Sequence, residues 1–329
     1  MNIAIVILNW NGKKLLEQFL PSVVKHSQDA TIYVADNAST DDSVEYLKSS
    51  FPSVRIIQNS ENGGYAKGYN DALKQIKEDV FCLMNNDIEV TKNWLSPIAK
   101  TLNSDPNIAI IQPKILDFNN KSYFEYAGAG GGFIDKYGYP YCKGRIFNSI
   151  EKDVGQYDEI SDIFWSSGAC LFIRKRVFEE LNGFDEAYFA HMEEIDLCWR
   201  AKNFGYDVKY VGNSSVFHLG GATLSKSNPK KTFLNFRNSL FNLVKNAKGN
   251  LFLLILVRLI MDGVAGIKFI FEFKFSHFTS IIGAHLSFYS HLSKLLKRRR
   301  SLPQSKNYYE INSIVWSYFI RKKRQFNRL

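Results

Sequence analysis

Short apolar runs recur along the first ninety residues, and each of them leads into polar residues. The runs cover residues 3–8, 31–35, 54–57 and 80–84. Apolar residues recur at helical spacing in the segments between them, as in residues 15–20. Continuous apolar runs are typical of parallel strands that are covered on both faces. Strands that alternate with helices predict an open α/β sheet with mostly parallel strands.

Polar side chains follow all four predicted strands, at Asn9, Asp36, Asn62 and Asp87. Ligands of open α/β sheets bind outside the carboxyl ends of the strands. The segment Asn85-Asn86-Asp87 would by itself be typical of a turn, since Asn and Asp side chains bond nearby backbone. The recurrence of polar strand ends favours a binding rim instead. A dinucleotide site is disfavoured, because no G-x-G-x-x-G follows the first strand.

Composition places the chain among ordinary globular proteins, with 45% hydrophobic and 22% charged residues. The formal charge of +10 is confined to the end of the chain. Residues 294–329 hold eleven Lys or Arg and one acid, Glu310, so residues 1–293 are balanced. A neutral body offers no basic groove for a nucleic acid, which we do not expect as a partner. The four cysteines form no C-x-x-C pair, and we expect a reducing, cytosolic location.

Four segments resemble, in this order, the nucleotide-sugar half of family 2 glycosyltransferases, which are inverting enzymes of the GT-A fold. They are VILNWNG, VADNASTDDS, NGGYAKGYNDAL and LMNNDIEV. The resemblance covers roughly the first 240 residues, and the ordered set is more specific than any one segment. It implies a catalytic domain over residues 1–245, with a Rossmann-like, mostly parallel sheet flanked by helices. Residues 246–329 would form an α-helical C-terminal extension.

The resemblance also implies how a nucleotide sugar, a UDP or dTDP sugar, would be bound. Asp36 would contact the base, and Asp87 would hold a divalent ion that bridges the diphosphate of the donor. Asn85 stands where the family often has an Asp. Oxygen ligands and retained waters suit Mg²⁺ or Mn²⁺. The other residues expected to bind the nucleotide sugar are Asn9, Asn11, Asn37, Asn62, Gly63, Gly64, Asn70, Asn85 and Asn86.

Residues 164–208 resemble the acceptor half of the same family. In this half Trp165, Ser167 and Gly168 are expected to bind the acceptor. Gly168 would allow close approach of the backbone to a ligand.

Three acids, Glu193, Glu194 and Asp196, open a predicted helix. Acids at a helix start and an Asp196–Arg200 pair at i,i+4 are also common surface stabilisers. Inverting transfer requires a base that accepts the proton of the attacking hydroxyl. The resemblance gives that role to Glu194, with Asp196 as the alternative and Glu193 beside them. Crowding by the neighbouring acids would raise the pKa of the base toward the working range.

A histidine, His218, follows a later apolar strand. A lone histidine at such a position is more often structural. The resemblance favours a second role, because several family members have a histidine at this interval that completes the metal site. His218 would then share the ion with Asp87, and Gly220 and Gly221 would let a diphosphate approach.

The last eighty residues change in character. Residues 251–275 are strongly apolar but carry interspersed charges, so that no uncharged run reaches the ~20 residues of a spanning helix. Apolar residues in 276–293 recur at helical spacing, which predicts a pair of amphipathic helices. Basic clusters at 297–300 and 321–324 suit an anionic membrane surface. The alternative is a helical appendage whose basic end is only solvated.

These patterns together indicate an inverting, metal-dependent glycosyltransferase, peripheral on the inner face of the cell membrane. The acceptor would be a saccharide or a polyprenyl-diphosphate-linked saccharide, in the synthesis of a surface polysaccharide. Two other classes fit parts of the pattern. One is a non-catalytic nucleotide-sugar sensor on the same fold, and the other is a peripheral membrane scaffold.

Overall fold

The computed structural model describes residues 1–220, 228–305 and 307–329. Gly221 and Lys306, which belong to the sequence patterns above, lie outside the described residues. A large mixed sheet forms the centre of the molecule, in the order β11-β13-β6-β12-β4-β1-β2-β3, with β5 paired to β13. Its strands are β1 (Ile3–Asn9), β2 (Ala30–Asp36), β3 (Arg55–Gln58), β4 (Val80–Asn85), β5 (Ile88–Val90), β6 (Ile108–Asp117), β11 (Ile160–Asp162), β12 (Cys170–Arg174) and β13 (Asp207–His218).

The predicted α/β alternation is confirmed in the first half of the chain. β1 lies parallel to β2 and β4, and β2 lies parallel to β3. Ile5 and Ile7 pack on one face of the sheet, whereas Ala4 and Val6 pack on the other. Both faces are therefore buried, which explains the continuous apolar runs. The helices of this domain are α1 (Lys13–His26), α2 (Ser43–Ser50), α3 (Gly64–Leu73), α4 (Leu95–Ser104), α5 (Lys175–Glu180) and α6 (Glu193–Asn203).

A second, small antiparallel sheet lies within the segment that joins β6 to β11. Its strands are β7 (Gly132–Ile134), β8 (Pro140–Cys142), β9 (Arg145–Ile146) and β10 (Ser149–Ile150). Cys142 and Arg145 face each other across the turn Lys143–Gly144. Gly144 has φ +80°, and a Cβ there would lie 2.5 Å from Phe124 Cγ, so this turn requires glycine.

Three long helices follow β13: α7 (Pro229–Asn246), α8 (Leu251–Phe271) and α9 (Phe275–Arg300). Two short helical turns, Trp316–Ile320 and Phe326–Arg328, lie near the end of the chain. The predicted helix pair at 251–293 is confirmed by α8 and α9. Within the described ranges, no helix has the length and apolarity needed to cross a bilayer. The predicted division of the chain at residue 245 falls at the end of α7, one residue before that helix finishes.

Candidate active site

The carboxyl ends of β1, β2 and β4 meet at one edge of the sheet, as the pattern of polar strand ends predicted. Asn9 and Asp36 are paired in register, and Asn9 Nδ2 donates to Asp36 Oδ1 at 3.3 Å. Asn86 Nδ2 donates to Asn9 Oδ1 at 2.9 Å. Asp36 also accepts from the Ser39 backbone N–H and is only 1% exposed. Its carboxylate is therefore held rigidly, with lone pairs left for one more donor.

The loop before α3 is bound to the same edge through amides. Asn37 Nδ2 donates to the carbonyl of Gly64 at 3.0 Å, and Asn62 Oδ1 accepts from the Gly64 N–H at 3.1 Å. Gly64 has φ +78°, and a Cβ there would lie 2.7 Å from the carbonyl oxygen of Phe189. The glycine is therefore required for packing between this loop and the segment before α6. Gly63 adjoins it, and Asn11 lies exposed at the rim beside Thr40.

An acid and an imidazole converge where β4 and β13 end. His218 pairs with Ile88 across β13 and β5, which brings Asp87 Oδ1 within 3.1 Å of His218 Nε2. Asn85 Nδ2 lies 3.4 Å from the same nitrogen. Asp87 is 4% exposed and His218 is 5% exposed. The Gly220 N–H donates to the other oxygen of Asp87.

Glu125 is a third member of this group, and it was not among the predicted site residues. Its Oε2 lies 3.5 Å from His218 Nδ1, a nitrogen that has no other partner. Burial lowers the pKa of His218, but the hydrogen bonds to Asp87 and Glu125 outweigh burial and raise the pKa to about 10. No signal in the sequence near Glu125 marks it, because only the meeting of distant segments places it beside the histidine.

The donor set fits a divalent ion held by two protein side chains. Among the described residues, no group of three or more His, Cys, Asp and Glu side chains is arranged to hold a metal. Asp87 Oδ1 and His218 Nε2 nevertheless face each other, and Mg²⁺ and similar ions often take one or two protein ligands together with phosphate oxygens and water. An ion there would replace the proton that the two atoms share.

The acids of α6 differ sharply in their surroundings. Glu193 and Glu194 each have one buried oxygen, Oε2, that finds no hydrogen-bond partner in the part of the chain that the structure describes. Burial raises the pKa of Glu194 to about 7 and that of Glu193 well above its usual value. Burial, rather than the crowding expected from Asp196, is thus the main cause of the shift in Glu194. A half-buried carboxylate with a pKa near neutrality is suited to act as a general base.

Asp196, the alternative base in the sequence analysis, has a structural role. It is 0% exposed and accepts from Lys245 Nζ at 2.8 Å, Arg200 Nε at 2.8 Å and Asn246 Nδ2 at 2.9 Å. Burial raises the pKa of Asp196, but the charges of Lys245 and Arg200 bring it below its ordinary value. A carboxylate enclosed by two cations cannot reach an acceptor hydroxyl, so the alternative is corrected.

Three further assignments are corrected because the side chains are occupied within the protein. The Asn70 amide bonds both the N–H and the carbonyl of Phe184. Trp165 is 2% exposed, and its indole N–H donates to the Phe133 carbonyl. Ser167 is also 2% exposed, and its hydroxyl accepts from the Ala169 N–H. Gly168 remains at the site, where its carbonyl accepts from the Tyr65 hydroxyl at 2.8 Å.

The segment that precedes α6 has a strained backbone. Phe189, His191 and Met192 have φ values of 65°, 66° and 72°, in the left-handed region that non-glycine residues rarely adopt. Such conformations persist only where the surroundings enforce them. Met192 leads directly into Glu193 and Glu194, so this strain decides where the two carboxylates lie.

One face of α7 enforces that conformation through asparagine side chains. Asn238 Nδ2 donates to the carbonyls of Tyr188, Ala190 and His191 at 3.1, 3.0 and 2.7 Å. Asn242 Nδ2 donates to the Met192 carbonyl at 3.2 Å. Asn246, one turn further, holds Asp196. No motif of the sequence singled these residues out, although their spacing of four places them on one face of a helix.

Comparison with solved structures identifies the fold as GT-A, the fold of a class of glycosyltransferases. The structure of GalNAc-T7 with UDP, GalNAc and Mn²⁺ aligns with 74% of this chain and 48% of that chain, at a TM-score of 0.59 and 17% identity. The mannosyltransferase PcManGT from Pyrobaculum calidifontis, in complex with GDP-Man and Mn²⁺, aligns with 91% of this chain and 84% of that chain. Its TM-score is 0.55 and its identity is 13%.

Within that class, the chain belongs to glycosyl transferase family 2, whose family model matches residues 4–181. A relative in Mycobacterium tuberculosis, N-acetylglucosaminyl-diphospho-decaprenol L-rhamnosyltransferase, is 24% identical over 230 residues. The match spans 65% of this chain and 75% of the relative. The protein is therefore a glycosyltransferase, and the interpretations as a sensor or a scaffold are not retained.

The contact between α7 and the strained segment predicts an effect on turnover. Asn238→Ala removes three hydrogen bonds to that segment, so we expect kcat to fall by about 10- to 100-fold through misplacement of the acids. KM for the nucleotide sugar should change less than twofold. Steady-state kinetics on the full chain, at a temperature where circular dichroism shows it folded, measures both constants.

Asn235→Ala is the matched control, because Asn235 lies on the same helix and makes none of these bonds. An unchanged kcat in folded Asn238→Ala would show that α7 stabilises the domain without positioning the acids.

Proposed function

We propose that the protein transfers a sugar with inversion from a UDP or dTDP sugar to a polyprenyl-diphosphate-linked saccharide, in the synthesis of a surface polysaccharide. The observation that carries this proposal is the carboxylate of Glu194, which has an unpartnered buried oxygen and a pKa raised by burial to about 7. The name of the mycobacterial relative supports a lipid-diphosphate acceptor. The neighbours bound to UDP or GDP-Man support a nucleotide donor.

The rim residues would bind the donor. Asp36 and Asn9 are linked to each other, so together they offer the base a preformed edge. Asn11, Asn37 and Asn62, with Gly63 and Gly64, would surround the sugar nucleotide from the loops after β1, β2 and β3. Asn85 and Asn86 would lie on its diphosphate side, next to Asp87 and His218.

Asp87 and His218 would hold a divalent ion, Mg²⁺ or Mn²⁺, and the neighbours solved with Mn²⁺ support this use of the site. When bound, such an ion neutralises charge that develops on the departing diphosphate. The chain itself would fix the two ligands through the pairing of β5 with β13 and through the Gly220 N–H on Asp87.

Glu194 would take the proton of the acceptor hydroxyl as that oxygen attacks the anomeric carbon. The bond from that carbon to the diphosphate breaks in the same step, on the opposite face, which gives inversion. Glu193, whose pKa is raised further by burial and by its neighbour Glu194, would stay protonated beside it. Two adjacent acids in different protonation states are thus available at one helix start.

Helix α8 supports a location at the membrane surface, because it buries charged residues against the protein and exposes apolar residues to the solvent. Two of its charged residues, Arg258 and Asp262, are buried and bond Tyr139 and Ser239. The third, Lys268, is exposed and pairs with Glu272. Its outer face is apolar and follows helical spacing. The exposed residues on or next to this face are Phe252, Leu253, Leu256, Ile260, Val264, Ile267, Phe271, Phe273 and Phe275. An exposed apolar face of this size fits lipid.

Two members of the basic cluster at 297–300 are engaged within the protein. Arg298 forms an ion pair with the buried Asp185, and Arg299 donates to the Val244 carbonyl at 3.0 Å. These two cations are therefore used to attach α9 to the body. The proposed membrane contact rests on the apolar face of α8 instead.

The metal site predicts a loss of metal-dependent ligand stabilisation. Asp87→Ala and His218→Ala should each abolish the increase in melting temperature that Mn²⁺ adds to the effect of UDP or dTDP, because each removes one of two protein ligands. Differential scanning fluorimetry with and without Mn²⁺ measures this increase. Glu89→Ala, two residues away on β5, should retain it. Full Mn²⁺ dependence in either variant would exclude that residue from the site.

The base predicts a loss of turnover without a loss of donor binding. Glu194→Gln keeps the shape of the side chain and removes the proton acceptor, so kcat should fall by about 10²–10⁴-fold. Calorimetric affinity for the nucleotide should stay within about twofold of the parent, and Glu179→Gln on the exposed side of α5 should be fully active. Near-normal kcat in Glu194→Gln would assign the base to another group.

The pH profile tests the same residue. Since the base must be deprotonated, kcat of the parent should fall as the pH decreases below about 7, the pKa to which burial raises Glu194. The titratable groups in electrostatic contact with Glu194 are Glu193, Tyr65, Cys142 and Cys198. The residual activity of Glu194→Gln should lack this acid limb.

The apolar face predicts vesicle binding that depends on α8. Replacing Leu256, Ile260 and Val264 with Asn should weaken binding to anionic liposomes by about 10-fold or more, since apolar area no longer enters the lipid. Co-sedimentation measures binding, and activity on a soluble acceptor should be unchanged. Val154 and Ile160 are exposed apolar residues of the body, and their replacement with Asn is the control. Equal binding by the α8 variant would refute a membrane contact through this face.

A further inference from the structure

Arg145, on β9, is a buried cation that no carboxylate of the described residues accompanies. The residue is only 7% exposed, and its Nε has no hydrogen-bond partner among the described residues. Nη2 donates to Cys142 Sγ at 3.2 Å, and the guanidinium lies over the ring of Tyr126 at 4.8 Å. Neither contact supplies a negative charge. Buried arginines ordinarily have an anionic partner, because removing the charge from water is costly.

The other buried cations in the described part of the chain all have carboxylate partners. Lys114 pairs with Asp153 and Asp158, and Lys245 pairs with Asp185 and Asp196. Arg200 and Arg258 each pair with an Asp four residues away. Arg145 differs from these four, because its charge is met among the described residues by the ring of Tyr126 and by no carboxylate.

The position of Arg145 relates it to the candidate active site. The turn Lys143–Gly144 places it opposite Cys142, and Cys142 lies within electrostatic range of both Glu125 and Glu194. Tyr126, on which the guanidinium stacks, follows Glu125 in sequence, and Glu125 lies 3.5 Å from His218. Arg145 is therefore linked through Tyr126 to the segment that carries Glu125, and through Cys142 to the surroundings of Glu194.

We propose that Arg145 binds a phosphate group of a substrate in the active site. The proposal rests on the proposed function, since both substrates of that reaction carry a diphosphate. A guanidinium presents paired N–H donors that match phosphate oxygens, and among the described residues only Nη2 of Arg145 has a hydrogen-bond partner. The phosphate would come either from the nucleotide donor or from the lipid diphosphate of the acceptor. In either case it would supply the counter-ion that the folded chain lacks.

Inorganic pyrophosphate with Mn²⁺ tests the site without any transfer reaction. Isothermal titration calorimetry on the full chain should show about 10- to 100-fold weaker binding of this probe to Arg145→Met than to the parent, as expected for loss of a charged hydrogen bond. Arg145→Lys should bind with intermediate affinity. Lys152→Gln removes an exposed cation from the same region and should bind like the parent.

The melting temperature of the protein without ligand distinguishes phosphate binding by Arg145 from a purely structural role of this residue. An uncompensated buried charge destabilises the folded state, so Arg145→Met should melt no lower than the parent. A lower melting temperature with unchanged pyrophosphate affinity would overturn the proposal. If Arg145→Met does not fold, the same comparison is made with Arg145→Lys, and parent-like pyrophosphate affinity in that variant would also overturn it.

Transfer assays distinguish the two sources of phosphate. A tenfold rise in KM for the nucleotide sugar in Arg145→Lys would assign the donor diphosphate. A rise confined to a short-chain prenyl-diphosphate-linked acceptor, with the alkyl glycoside of the same sugar unaffected, would assign the acceptor. Unchanged KM values for all three substrates would overturn the proposal. Failure of the proposed function itself would differ, because the parent would then transfer sugar to neither acceptor.

Discussion

Lys245 lies between two buried carboxylates, and the arrangement of the second half of the chain depends on this interaction. Its Nζ is 2.7 Å from Asp185 and 2.8 Å from Asp196, and the residue is 2% exposed. Asp185 ends the turn before the strained segment, and Asp196 lies in the first turns of α6. Arg200 and Arg298 add a charge at each end. Burial would raise the pKa of Asp185, but the charges of Lys245 and Arg298 hold it below its ordinary value. Removing one member of such a group leaves an unpaired buried charge, which typically costs about 3–5 kcal/mol.

This interaction joins the C-terminal helices to the segment that carries the proposed catalytic acids. α7 carries Lys245 and the asparagines that bond the segment before Glu193. α9 contributes Arg298 to the same group of charges. α8, whose outer face is apolar, is attached through Arg258 and Asp262 to Tyr139 next to the small sheet. A few buried polar contacts thus connect the apolar outer face of α8 with the helix that carries Glu194.

The sequence predicted the parallel half of the large sheet and part of the site. The four strands of the first half are correct to within one or two residues, since apolar runs reflect burial on both faces of a parallel sheet. The rim residues Asn9 and Asp36 meet as expected, because parallel strands bring their carboxyl ends together. Trp165, Ser167 and Asn70 were assigned to ligands on the strength of their motifs. Local sequence does not show which way a side chain points, and all three are satisfied by internal partners.

The sequence by itself determined the α/β class, the polar edge of the sheet, the family and the pair of C-terminal helices. Each of these follows from periodicity or from ordered local motifs, which a single chain displays directly. Only the tertiary structure decided which acid forms ion pairs with cations of the protein and which does not. Glu194 and Asp196 are two residues apart, but a helix rotates them to different faces, and distant cations enclose only Asp196. The same reason applies to Glu125, Asn238 and Arg145. The significance of these residues depends on neighbours that are far away in the chain. Whether a buried polar atom has a hydrogen-bond partner is a property of the folded molecule alone.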